Sequence, residues 1–265
     1  MYSRWQLAQK YIRYYLTASN GKGHGIHSPF VYDFIRHILI DNRNFYAYKQ
    51  VEALREQLLK DNTILQVEDF GAGSVTGQTK QRAVSAIATH AAKSKKLAQL
   101  IFRIVQYYAP LNIIELGTSL GITTAYMSLA CRDARIITGE GSHEIAKRAQ
   151  RNFAGLQLNM IQVVTGNFDN TLDSMLDQLP TVDLAFLDGN HRLEPTKRYF
   201  EKILTKTHTD SIIIVDDIHW SSEMEQAWAA IQQHPKVTCT IDLFFIGLVF
   251  FKEEIKEQQH FIIRY

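Results

Sequence analysis

The sequence predicts an α/β fold: a mostly parallel sheet that ends in an antiparallel hairpin and is preceded by a helical cap. Three observations predict it. After residue 95, short β-rich runs alternate with helix-patterned segments. The last two such runs are joined by too few residues for a helical crossover. Before residue 95, apolar residues recur at helix spacing.

Taken in order, Leu7 with Tyr11, and Ala8 with Ile12 and Tyr15, mark a first helix, and Val51, Leu54 and Leu58 mark a later one. Gly and Ser cluster at 19–29 and 69–78, where loops interrupt the helices. Residues 80–109 read as helix, with Leu97, Leu100, Ile101, Ile104, Val105 and Tyr108 on one stripe that Pro110 closes. Strand-like runs follow at 112–116, 134–140, 160–166, 182–188 and 211–217. Helix patterns lie between them near 120–131, 142–155, 170–178 and 195–206. Ser222 and Glu225 have capping-box spacing at the head of a further helix that Pro235 ends. The runs VTCTIDLFF and GLVFFKE then make the hairpin. The expected division is a helical cap over 1–95 and a sheet domain over 96–265.

Composition narrows the class. Of 265 residues 46% are apolar and 21% charged, which argues against disorder and low-complexity chains. The longest apolar stretch, Leu243 to Phe251, contains Gly247 and is far shorter than the ~20 residues of a membrane-spanning helix, so no membrane partner is expected. The N-terminal residues offer no apolar leader, and Cys131 and Cys239 are too few for a disulfide framework, which together point to a cytoplasmic protein. Net charge is +2, yet Met1–Tyr32 and Phe70–Ile114 contain no acid. Those stretches read as solvated basic helix surface, or as an attraction for an anionic substrate or nucleic acid. Oligomeric state leaves no trace in the sequence.

A parallel sheet binds ligands beyond the carboxyl ends of its strands, so the first exit loop decides the chemistry. That loop is ELGTSLG. Glu115 ends the strand, and Gly117 and Gly121 let the backbone turn tightly around Thr118 and Ser119 and approach a ligand. The spacing is G-x-x-x-G and lacks the third glycine of a dinucleotide fingerprint, which disfavours nicotinamide and flavin. Glu140 ends the second strand, where a carboxylate can accept both hydroxyls of a ribose. Gly166 and Asn167 follow the third strand, where they can meet an adenine edge. A rival run at 64–77 also pairs an acid with glycines. No strand ending in an acid follows it, so it reads as a turn packed over the site.

On these motifs, residues from about Leu97 to Phe251 resemble a class I S-adenosylmethionine-dependent methyltransferase. The resemblance implies a Rossmann-like seven-stranded sheet with a terminal antiparallel hairpin. It also implies a cofactor site of Glu115, Gly117, Thr118, Ser119, Gly121, Glu140, Gly166, Asn167 and Asp188. Three acids end the fourth and fifth strands, Asp188 in LDGNH and Asp216 and Asp217 in VDDIHW. Their placement is similar to metal-dependent O-methyltransferases of the catechol and caffeoyl-CoA type, in which such acids hold Mg2+ or another divalent cation. Trp220 matches an aromatic of that family, Asp217 stands where the family has an amide, and His191 stands where it has a basic Lys.

Three roles stay open for these acids: a metal site of Asp188, Asp216 and Asp217; metal-free acid/base catalysis by Asp188, His191, Asp216 and His219; or loop-holding carboxylates. The expected function is O-methylation of a small molecule. The alternatives are an RNA methyltransferase, which the absence of an NPPY-like tetrapeptide weakens, and an adenosylmethionine-binding protein without turnover. HGIHSPFVYDF (24–34) reads as part of a lid that sets acceptor choice.

Overall fold

The computed structural model describes residues 1–68 and 79–265. The DFGAGSVTGQ loop, with the glycines of the rival motif, lies outside the described residues. In chain order the structure forms α1 (Arg4–Thr17), α2 (Pro29–Phe34) running into a π-helical turn (Ile35–Leu39), α3 (Tyr46–Leu59), β1 (Ile64–Glu68), β2 (Thr79–Ala83), α4 (Val84–His90) and α5 (Lys95–Tyr108). Strands and helices then alternate through β3 (Asn112–Leu116), α6 (Ile122–Ala130), β4 (Arg135–Glu140), α7 (His143–Gly155), β5 (Ile161–Thr165), α8 (Phe168–Asp177), β6 (Leu184–Leu187), α9 (Leu193–Leu204), β7 (Ile212–Asp216) and α10 (Ser222–Gln232). After them come β8 (Cys239–Asp242), β9 (Ile246–Phe250) and β10 (Gln259–Ile262). Contacts divide the chain into two units, Asn42–Leu179 and Met1–Asp41 with Pro180–Tyr265.

In the unit Asn42–Leu179, β3, β4 and β5 lie side by side and parallel, with Leu116 opposite Gly139 and Glu140 opposite Thr165. That register brings the three exit loops to one edge. Every residue of α6 from Ile122 to Leu129 is buried, so this helix has no solvent face, and its polar side chains are short Thr and Ser. Phe102 of α5 and Tyr48 of α3 pack edge to face at 5.1 Å, and Tyr48 meets Tyr126 of α6 at 5.8 Å. Each such buried ring contributes about 1.5–3 kcal/mol relative to exposure.

The helix expected over 80–109 is corrected here. TKQRA has no apolar face to bury as a helix, and it pairs antiparallel with ILQVE from Ile64–Ala83 to Glu68–Thr79, so the helix starts only at Val84.

In the other unit, β6 and β7 are parallel, β9 runs antiparallel to both β7 and β8, and β10 adds parallel to β8. The expected hairpin is present. The strand β10 was not anticipated, because QHFI is too short and too polar to show an alternating pattern. Ser19 bridges Ile263 beyond it, donating to the Ile262 carbonyl at 2.8 Å and accepting from the Arg264 amide at 3.0 Å.

α1 is capped by Ser3, with a reciprocal bond from Gln6, and lays Tyr11 and Tyr14 against Phe244 at 5.0 and 5.2 Å. In HGIHSPFVYDF, Pro29 opens α2 and Phe30 and Phe34 pack edge-on to Phe250. That segment therefore anchors α2 to a strand. The cap of α10 is also one residue earlier than expected, since the Ser221 hydroxyl accepts from the Met224 amide, leaving Glu225 for other partners.

Cys239 is fully buried on β8, and burial pushes its thiol up to about 12, whereas Cys131 is only partly buried. Thiolates are the reactive form. Treatment with a disulfide reagent near pH 8 should therefore leave Cys239 unlabelled in the native protein and label it in denaturant, as peptide mass spectrometry would show. Native labelling at Cys239 would contradict this packing.

Candidate functional site

The glycine bend after β3 is set from beneath by a buried acidic side chain. Glu115 is 0% exposed, and its Oε2 accepts from the Thr124 hydroxyl at 2.5 Å and the Thr138 hydroxyl at 2.6 Å. The Thr118 hydroxyl lies 2.6 Å from that of Thr138 and donates to the Gly139 carbonyl at 3.0 Å. Bonds to a charged acceptor are worth about 1.5–3 kcal/mol each, and a buried carboxylate that loses them retains its desolvation cost. Above this network the backbone is left-handed at Gly117 (φ 110°), Ser119 (φ 48°) and Gly121 (φ 80°). The Gly117 and Thr118 amides both donate to the Gly139 carbonyl at 3.0 Å, tying the bend to the end of β4. A Cβ on Gly121 would stand 2.4 Å from the Phe153 ring, so no other residue fits without displacement.

Glu140 sits against this bend. Its Oε2 accepts from the Ser119 amide at 2.8 Å and its Oε1 from the Ser142 amide at 2.9 Å. These two bonds, one to each oxygen, fix the carboxylate in orientation. The Gly166 amide donates to the Glu140 carbonyl at 2.9 Å, which brings the third exit loop alongside. The Asn167 side chain caps α8 by accepting from the Asp169 amide at 3.0 Å, and this is the task the structure gives it. Glu115, Gly117, Thr118, Ser119, Gly121, Glu140 and Gly166 are thus gathered at one strand edge. Thr124 and Thr138, which orient Glu115, were missed in the sequence. Their only signal there is a Thr on an otherwise apolar strand and helix.

In the unit holding β6 and β7, Asp188, His191 and Asp216 come together, with one potential ligand atom from each within 4.8 Å of the others. His191 Nε2 lies 3.5 Å from Asp188 Oδ1. Asn190 and His191 have φ of 69° and 38°, and this uncommon backbone turns the imidazole back toward Asp188. Asp216 ends β7 almost fully buried.

Two of the residues grouped with them on the sequence go elsewhere. Asp217 takes a left-handed φ of 53° and donates its amide to the Phe245 carbonyl at 2.7 Å, so its side chain leaves the cluster and lines an apolar cavity. His219 is held at both nitrogens, Nδ1 3.1 Å from Glu225 Oε1 and Nε2 2.8 Å from Asp242 Oδ2. An imidazole engaged this way has no nitrogen left to take a proton from a ligand.

Burial alone would lower the basicity of His219, but its bonds and attraction to Asp242 and Glu225 outweigh that and raise its pKa above the usual 6.5. Glu225 also accepts from the Tyr2 hydroxyl at 2.7 Å and from Lys10 at 2.9 Å. Burial pushes the Glu225 carboxyl up, and these bonds bring it net below its ordinary value. The imidazolium is therefore one link in a chain of charges that fastens α1 to α10 and β8.

A cation fits the Asp188, His191 and Asp216 set on charge, since two carboxylates balance a dication. Metal–ligand distances of about 2.0–2.2 Å keep ligand atoms within roughly 4.4 Å of each other, a limit close to the 4.8 Å within which these three donor atoms lie. The imidazole suits Mn2+, Fe2+ or Zn2+ better than Mg2+, which prefers oxygen.

Residues 114–218 match the model of the methyltransferase domain family. No curated protein matches the chain in sequence. Among solved structures, the SAH-bound methyltransferase of Podospora anserina is 14% identical with a TM-score of 0.59, over 85% of this chain and 97% of that one. The O-methyltransferase of Bacillus cereus in complex with SAH is 20% identical with a TM-score of 0.52, over 83% of this chain and 97% of that one. The O-methyltransferase TomG of Streptomyces achromogenes, in complex with SAM, is 16% identical with a TM-score of 0.55, over 84% of this chain and 95% of that one. These likenesses show that the chain has the Rossmann-like α/β methyltransferase fold. Among the described residues no helix is long and apolar enough to cross a membrane.

Two outcomes are expected. Gly121→Ala should cost about 2–4 kcal/mol, from overpacking against Phe153 and a left-handed alanine, and lower the urea midpoint. An unchanged midpoint would mean that the bend relaxes freely. For His219, a pKa raised on folding gives stabilisation that is complete below about 6.5 and is lost as pH climbs through the higher folded-state value, at about 1.4 kcal/mol per pK unit. Melting temperature should accordingly fall across that window in the wild type. The fall should be absent in His219→Gln.

Proposed function

We propose that this methyltransferase uses S-adenosylmethionine and transfers the methyl group to an oxygen of a small acceptor. The observation that carries the reading is Glu140 held at the strand edge against the left-handed bend by the Ser119 and Ser142 amides. A ribose offers two hydroxyls to such a carboxylate, and the open backbone of Gly117–Gly121 accommodates the amino-acid tail. Solved relatives of the same fold hold SAH or SAM, and two of them are O-methyltransferases.

In the reaction the acceptor oxygen attacks the methyl carbon in line. The carbon–sulfur bond breaks with its electron pair going to sulfur, and the hydroxyl proton must leave. His191, oriented by Asp188, is the proton acceptor in this reading. Asp216, buried beside it, favours the imidazolium that forms. A second reading is supported by the spacing of the three donor atoms: Asp188, His191 and Asp216 would hold a divalent cation. When bound, such an ion lowers the pKa of a hydroxyl that it contacts.

Calorimetric titration with S-adenosylhomocysteine tests the cofactor half. Glu140→Ala should weaken binding about 30-fold or more, as expected for two charge-assisted bonds. Affinity equal to wild type would sink the assignment. His191→Gln should slow turnover about 100-fold or more while leaving that affinity within threefold. Mn2+ titration of chelator-treated protein, followed by electron paramagnetic resonance, decides the cation reading. No bound Mn2+, together with full turnover in chelator, would eliminate it.

A further inference from the structure

The helix α1 is apolar on two opposite faces. Tyr11 and Tyr14 turn one of them to Phe244, while Trp5, Ile12 and Leu16 stand on the other at 81%, 58% and 72% exposure. The helical step sets these three in one line along the axis, with the exposed Tyr15 beside it. Single exposed apolar residues are ordinary on a protein surface, but an aligned set that includes a tryptophan marks a contact face.

Charge on this helix has one sign. α1 carries Arg4, Lys10 and Arg13 and no acid, and the chain has no acid before Asp33. Lys10 is held by Glu225. Arg4 and Arg13 fall on opposite flanks of the apolar line, and neither enters an ion pair among the described residues. The Arg264 guanidinium adds a cation 4.9 Å from the Tyr15 ring. The Ser3 cap and the seat on Phe244 hold the helix in shape, so docking through its outer face carries no cost of folding it.

A convex apolar ridge with unpaired cations on both flanks fits an anionic, deformable surface. A second copy of the chain fits it poorly, because a two-fold pairing sets the face against itself and the helix has no carboxylate to meet its arginines.

We propose that α1 docks this protein on an anionic lipid bilayer, with Trp5, Ile12 and Leu16 at the boundary between headgroups and acyl chains and Arg4, Arg13 and Arg264 on the headgroup anions. An indole suits that depth, where its ring is in an apolar setting and its N–H stays wet. A helix lying in the interface needs one apolar face and not the length of a span. The absence of a spanning helix, on which the expectation of no membrane partner rests, therefore does not bear on this mode. Docking is independent of the methyl transfer proposed above.

The test is co-sedimentation of the whole chain with vesicles of phosphatidylcholine, alone or with about 30% phosphatidylserine. Affinity for the anionic vesicles should be about tenfold or more above that for the neutral ones, and should fall severalfold between about 0.05 and 0.5 M salt. Trp5→Ser together with Leu16→Ser should lower it about tenfold or more. Arg4→Gln together with Arg13→Gln should lower it about 25-fold, at roughly fivefold per cation. All four positions are exposed, so melting temperatures should not move. Vesicles left unbound, equal affinity for neutral and anionic vesicles, or binding that survives the paired serine substitutions overturns the proposal. A dimer in sedimentation velocity that the serine pair dissolves would assign the face to a second copy and overturn it as well.

Discussion

A carboxylate with no exposed surface, Glu115, sets the conditions for the rest of the cofactor edge. Its burial is offset by the hydroxyls of Thr124 and Thr138, which both donate to it, with the Thr118 hydroxyl 2.6 Å from that of Thr138. The strand end, the start of α6 and the bend are thereby fixed as one object. Glu140 is oriented by an amide of that same bend, so its placement at the strand edge depends on the same network.

The other unit uses charge differently. There His219 lies between Glu225 and Asp242, with Lys10 and Tyr2 completing the chain, and the result is attachment of α1 instead of proton transfer. Two histidines with similar sequence settings, one three residues beyond Asp188 and the other three beyond Asp216, come out in different surroundings. His191 follows a turn of left-handed residues that returns it to Asp188, while His219 is consumed by acids on α10 and β8.

The alternating strands were legible because each is a short apolar run bounded by turn residues. NIIEL corresponds to β3 without a shift. The antiparallel hairpin was legible from the shortness of its connection. TKQRA and QHFI were not, because their strand character comes from a partner strand and not from their own pattern. At the site, the glycine bend and Glu140 could be read from spacing. The departure of Asp217 from its neighbours could not, since it follows from one backbone dihedral and a bond to Phe245, and neither leaves a mark on residue identity. The seat of α1 joins Tyr11 and Tyr14 to Phe244, more than two hundred positions later, a juxtaposition that local periodicity does not encode.

The pairing of Ser19 with Ile263, and of Tyr2 with Glu225, bears on the order of assembly during synthesis. The stretch Asn42–Leu179 is continuous, so all of it leaves the ribosome before the last strands of the other unit do. α1 is made more than two hundred residues before Phe244, which covers Tyr11 and Tyr14. In that interval this helix carries its aromatic residues without their native cover, a window in which chaperones could engage it.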